Sequence, residues 1–213
     1  PVGYTALYRV FAGLHIEPLV FSKLLPWVLG ILATIYCFRV CMTIFPVPFA
    51  GFLATVLLNQ NLWLRDDLSS GTPRAFIYPL LLAFVYYALR NALLPCAVLI
   101  VLQGLLYPHT VLLSVALLGL RLWHWEGGLP RLSRHLRPYV FCGVCCIVAV
   151  GILLPYSRGI AEFDPVITVA AARNLPEFAS QGRSAFFLEN RWAYWLYAER
   201  TGIFPSEWQY VLL

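Results

Sequence analysis

Two adjacent carboxylates, Asp66 and Asp67, follow Arg65 at the end of a long apolar run. Paired carboxylates at a membrane surface can hold a divalent cation or a phosphate-bound metal. One of them can also act as general base once burial adjusts its pKa. The same stretch also reads as a polar cap, with Asp67, Ser69 and Ser70 ending one helix and Thr72-Pro73 opening the next. Just beyond it, Arg74 stands where a helix should start, against a dipole that favours anions. An arginine carrying that penalty suits a phosphate or headgroup ligand, or it snorkels to an interface. A third candidate is His109 in the turn Tyr107-Pro108-His109. A histidine there can orient a phosphate, bind metal or shuttle protons, or simply be solvated. His15 with Glu17 could face the same site, and Gln103, inside an apolar run, could bridge two helices. No nucleophile elbow, P-loop, dinucleotide fingerprint or zincin motif occurs.

The elements that must position these residues are set by where charge is missing. Apolar residues make up 61% of the 213-residue chain and charged residues 12%, about half the charge of a soluble domain. Mean hydropathy is +0.75. A large globular core does not account for this, because a domain of this size must still cover its surface with polar groups. The expected fold is all-α: a polytopic helical membrane bundle over residues 1–154, followed by an extracytoplasmic segment of mixed or irregular structure over 155–213. Six spans are expected, at Leu24–Phe38, Phe45–Leu64, Ala75–Leu89, Ala92–Tyr107, Thr110–Leu120 and Tyr139–Leu154. Pro79 should kink the third. The chain opens at Pro1 without Met and stops at Leu213 without an obvious terminus, so it reads as a fragment.

Charge orients the spans. Arg121, Arg131, Arg134 and Arg137 lie in one connection against a lone Glu126, which the positive-inside rule places in the cytoplasm. Alternation then puts Arg39 and Arg90 inside as well. It puts Asp66, Asp67, Arg74 and His109 together on the outer face, with the N-terminal stretch and the tail. The expected location is a bacterial inner (plasma) membrane. The net charge of +5 does not indicate nucleic-acid binding, since the densest basic run lies beside apolar spans rather than on a solvated face. The six cysteines, Cys37, Cys41, Cys96, Cys142, Cys145 and Cys146, fall in or beside apolar runs and read as small buried apolar residues, not as a metal or disulfide set.

The tail differs in kind. Past Leu154 it carries Arg158, Arg173, Arg183, Arg191 and Arg200 against Glu162, Asp164, Glu177, Glu189, Glu199 and Glu207, a near-neutral solvated composition. Ala170–Leu175 should be helical and stop before Pro176. The aromatic-rich stretch Arg191–Arg200 either lies in the headgroup region or packs within a small cap.

Gly71-Thr72-Pro73-Arg74-Ala75-Phe76 leads into Pro79-Leu80-Leu81, then Tyr86, Leu89 and Arg90, and the next apolar run ends Gly104-Leu105-Leu106-Tyr107-Pro108-His109. Over about Pro1 to Trp123 this resembles the membrane module of GT-C type glycosyltransferases, with an Arg-led helix, an internal proline and a His-Pro pair, here in reversed order. The resemblance implies transfer of a sugar from a polyprenyl-phosphate donor at the outer face. The catalytic Asp or Glu would then lie upstream of Pro1. Asp66 and Asp67 would contact metal or acceptor, and Arg74 and His109 the donor phosphate. Membrane lipid is the expected partner. The alternative is a non-catalytic transporter, lipid flippase or scaffold subunit. Ionisable residues are almost absent inside the apolar runs, which disfavours ion-coupled transport.

Overall fold

The computed structural model describes residues 2–64, 68, 71–126, 129–132, 136–159, 168–178, 187, 190, 192 and 195–196. The chain divides into two units, Pro1–Gly159 and Ile160–Leu213. In the first, helices occupy each of the six apolar stretches: α2 (Pro18–Ile44), α3 (Pro48–Leu64), α4 (Ile77–Leu89), α5 (Leu93–Leu106), α6 (His109–Leu120) and α7 (Leu136–Gly159). A further helix, α1 (Val2–Gly13), precedes them. In the second unit the described helix is α8 (Val169–Arg173), whose first turn is capped by Thr168 accepting from the Ala171 N–H at 3.3 Å.

From α2 onward, successive helices of the first unit run up and down. Ser22 near the start of α2, Gly71 before α4, and Leu106 at the end of α5 all gather around α1. At the other end, Tyr36 and Arg39 of α2 meet Tyr86 and Tyr87 of α4, and the α4–α5 turn meets Arg121 at the end of α6. Arg39, Arg90, Arg121 and Arg137, which the charge pattern assigns to one side, therefore share one end of the bundle.

The last helix, α7, runs past both its expected ends, from Leu136 to Gly159 rather than Tyr139 to Leu154. The helical unit therefore extends beyond the boundary expected at residue 154. Two further differences have identifiable reasons. The first span was expected to close at Arg39, yet α2 continues through it to Ile44. Arginine is a good helix former, and here its guanidinium lies over the rings of Tyr36 and Tyr86 at 5.9 and 5.7 Å. Pro79 was expected to kink its helix. It falls instead in the first turn of α4, after a one-turn 3-10 helix at Pro73–Phe76, where the backbone N–H that proline lacks has no intrahelical partner to lose.

The connection Arg121–Arg137 is not a plain loop. Backbone pairing joins β1 (Trp123–Glu126) to β2 (Leu129–Leu132) in an antiparallel hairpin, from Trp123 opposite Leu132 to Glu126 opposite Leu129. The all-α expectation thus holds for the architecture, with this hairpin as its exception among the described residues.

The core has two centres. One joins Phe21, Leu25, Leu29 and Ala33 of α2 with Leu62, Leu68 and Phe76. The other joins Phe84, Cys96, Ile100, Val111, Leu118, Cys145 and Ala149. Cys96 and Cys145 are completely buried there, as small apolar fillers. Along α2 the buried residues Phe21, Leu25, Leu29, Ala33, Cys37 and Val40 form one stripe, but the opposite face is apolar too: Trp27, Val28 and Ile31 are each more than half exposed. Two helical stretches, Pro18–Ile44 and Leu136–Leu154, are long and apolar enough to cross a membrane. The second has only 11% of its apolar window buried within the described structure. The stretches Pro73–Leu89, Leu93–Leu106 and His109–Leu120 are apolar but shorter.

Buried polar groups tie helices together. Ser114 Oγ donates to Gln103 Oε1 at 2.7 Å, both residues being fully buried, so Gln103 does bridge α5 and α6. Asn59 Nδ2 donates to Thr34 Oγ1 at 2.8 Å, joining α3 to α2. Replacing Ser114 by Ala strands the Gln103 side chain and should cost about 1 kcal/mol. The pair Gln103→Leu with Ser114→Ala should recover most of it, since an apolar pair leaves nothing unpaired. Unfolding midpoints of the wild type and the two variants in one detergent check this, and a double variant weaker than Ser114→Ala would contradict it.

Candidate functional site

The end of the bundle that carries Arg74 and His109 is organised by Gly71. Its φ is +56°, in the left-handed region that glycine enters without steric cost. The Gly71 carbonyl accepts from the hydroxyls of Tyr4 and Tyr8 of α1 at 3.0 and 3.5 Å. Burial, then the hydrogen bond and charge of Tyr8, push the Tyr4 phenol well above its usual pKa, so it stays a neutral donor to that carbonyl. Rings of Tyr8 and Phe11 pack on Phe21 at 4.9 and 4.2 Å, which fixes α1 against the start of α2.

From this anchor the chain turns directly into the Arg74 segment. Thr72 is extended, and its carbonyl accepts the Ala75 N–H at 3.0 Å. Pro73 fills the first position of the 3-10 turn, and Ala75 and Phe76 are buried beneath it. Arg74 is left on the exposed side. Its carbonyl accepts the Ile77 N–H, so Arg74 precedes the first turn of α4 rather than standing in it. The dipole penalty expected from the sequence is correspondingly small, because that field fades within a turn.

His109 begins α6 at the same end and is exposed, with its ring edge-on to Tyr107 at 5.3 Å. The turn ahead of it is held by Thr110 Oγ1 donating to the Tyr107 carbonyl at 2.7 Å. The Pro73–Phe76 turn packs on α5, whose last residue Leu106 joins the same core centre as Phe76. Arg74 and His109 therefore stand at the same end of the bundle, on elements that each adjoin α5. Asp66 and Asp67 lie outside the described residues, and their flanks, Trp63 and Leu68, lie toward this end, beside Trp27 and Gly30.

His15 has a structural role instead. At φ +62° it closes α1, with the Ile16 N–H on the Phe11 carbonyl and the His15 N–H on that of Ala12, the Schellman arrangement of a helix end. Asn91 ends α4 in the same way at φ +57°, with Ala92 bonded to Tyr87 and Asn91 to Ala88. Among the described residues, no three His, Cys, Asp or Glu side chains converge to hold a metal ion.

Sequence reasoning used Arg39 and Arg90 only as markers of sidedness, and so missed what surrounds them. Arg90 donates to the Tyr86 hydroxyl at 2.8 Å and lies over its ring at 5.6 Å, while Arg39 covers the same ring from α2. The signal was present as Tyr36 with Arg39 and Tyr86 with Arg90, each pair on one helix face. A cavity of about 780 Å³ runs between α2 and α3, bounded by Phe38, Arg39, Phe52, Val56 and Trp63.

Comparison with protein-family models, curated proteins and solved structures gives no match to this chain.

Proposed function

We propose that the chain is a helical membrane module that binds a lipid-linked phosphate at the end bearing Arg74 and His109. In the fuller form of this reading, it is part of a GT-C-like glycosyltransferase that draws on a polyprenyl-phosphate sugar at the outer membrane face. The membrane part is supported by surface chemistry. A helix apolar all round belongs in a core or in lipid, and only 11% of the apolar window of α7 is buried within the described structure. Exposed apolar surface on that scale is not stable in water. At about 1.5 Å per residue, α2 reaches about 40 Å, enough to cross a hydrocarbon core of about 30 Å.

The phosphate part is carried by one observation: the exposed Arg74 and His109 stand at the same end of the bundle, on elements that each adjoin α5. An arginine there can stabilise the phosphate that departs as the sugar is transferred. The apolar cavity between α2 and α3 suits an isoprenoid chain. The sugar-transfer step itself rests on the sequence resemblance, in which Asp66 and Asp67 contact metal or acceptor.

The test is binding of a short-chain polyprenyl phosphate to the purified chain in nanodiscs, with the uncharged polyprenol as reference. The phosphate should bind more tightly, and Arg74→Gln should weaken it about ten-fold through loss of a charge-assisted contact. Equal affinity for phosphate and alcohol, or an unaffected Arg74→Gln, would leave the transporter or scaffold reading in its place.

A further inference from the structure

At the opposite end, a second cavity of about 840 Å³ is walled by Leu118 and Leu122 of the α6 end, by Leu136, Pro138 and Phe141 of α7, and by three polar side chains, Asn91, Arg121 and Arg137. Arg121 is built in rather than solvated. One of its terminal nitrogens, Nη2, donates to Asn91 Oδ1, and its guanidinium lies over the Phe141 ring at 5.3 Å. Asn91 is itself fixed by the left-handed turn that ends α4. The other terminal nitrogen, Nη1, is buried and has no hydrogen-bond partner among the described residues. A buried guanidinium N–H left unpaired costs free energy, and Arg121 is one of the residues that line the cavity. Arg137 brings a second positive charge to the same wall.

We propose that this cavity is a binding site for a phosphate group, and that in the membrane the phosphate is the headgroup of an anionic phospholipid. Two guanidiniums on one cavity favour an anion with several acceptor oxygens, and a phosphate supplies them in the fork geometry arginine prefers. The leucines that wall the same cavity give the glycerol and upper acyl carbons an apolar surface. Basic pockets between helices at a membrane face take such headgroups. The lipid source rests on the membrane reading above, whereas the phosphate site does not. This site also stands apart from Arg74 and His109, at the other end of the bundle.

The experiment measures binding of short-chain phosphatidylglycerol, short-chain phosphatidylcholine and inorganic phosphate to the full chain in a nonionic detergent. Phosphatidylglycerol should bind at least about ten-fold more tightly than phosphatidylcholine, and Arg121→Gln and Arg137→Gln should each weaken it about ten-fold. Failure of inorganic phosphate to displace the lipid at millimolar concentration identifies the lipid as the source. Displacement, or binding of inorganic phosphate alone with the same dependence on both arginines, supports the site with free phosphate as its ligand, even if the membrane reading fails. Arg121→Gln also removes the contact to Asn91. If it does not yield folded protein, Arg137→Gln decides, since Arg137 is exposed. The proposal is overturned if the two lipids bind alike and inorganic phosphate does not bind, or if Arg137→Gln leaves binding unchanged.

Discussion

Gly71→Ala should destabilise the bundle by about 3 kcal/mol, the sum of two costs. Holding a residue with a Cβ at φ +56° costs about 1–2 kcal/mol. The new Cβ would also stand 2.9 Å from the Ser22 carbonyl oxygen, a backbone atom that cannot swing aside, and forced overpacking of this kind costs about 1–3 kcal/mol. The loss should be local in origin. Relieving either strain moves the Gly71 carbonyl, which breaks the Tyr4 and Tyr8 hydrogen bonds and loosens α1. Gly71→Asn separates the two costs, because asparagine tolerates the left-handed region while keeping the Cβ. Unfolding midpoints in a common detergent should rank wild type above Asn above Ala. Equal losses for Asn and Ala would assign the whole effect to the Ser22 contact, and a loss under 0.5 kcal/mol for Ala would mean the turn is not rigid.

The same residues show how far the sequence could be read. Absence of charge located the six central helices, because charge is costly wherever a helix face is apolar on all sides, and the arginine pattern gave their alternation. Helix ends were less legible. Arg39 was read as a stop because it is charged, but aromatic rings from two helices accommodate it. Pro79 was read as a kink because its distance from the true helix start depends on the 3-10 turn at Pro73–Phe76. The hairpin was missed although Gly127-Gly128 sits between two short runs, a recognised turn signal, because the arginines of that connection were read only for sidedness. At the site, Arg74 and His109 could be placed on one face by counting spans. What the count could not reach was Gly71 as the anchor, since its role depends on α1, a helix too short and too mixed in composition to stand out. The built-in state of Arg121 was equally hidden, because Asn91 and Phe141 approach it only through packing.

Gly104→Leu should release α7 from the bundle. The α5 face that α7 meets carries Cys96, Ile100 and Gly104, each four residues from the last, and the facing stripe of α7 carries Cys145, Ala149 and Ile152. Small residues at such a seam let helix backbones approach, and in lipid that close packing, rather than hydrophobic expulsion, holds helices together. At Gly104 the approach is complete: even a Cβ there would overlap Ile152 Cγ2. A leucine adds a whole side chain where a single carbon does not fit, which should cost about 3 kcal/mol or more. Besides this seam α7 meets α6, and its Phe141 lies under the Arg121 guanidinium, so the seam with α5 is its main attachment but not its sole one. The readout is the thiol of Cys145, which is fully buried against α5. Maleimide labelling located by mass spectrometry should leave Cys145 unmodified in the wild type and modify it in Gly104→Leu, while Cys37, buried on α2, keeps its wild-type rate. If Cys145 stays protected in a folded Gly104→Leu protein, α7 is held by contacts other than this seam. If Cys37 and Cys145 become reactive together, the two core centres unfold as one, and the seam between α5 and α7 carries the whole bundle rather than one helix.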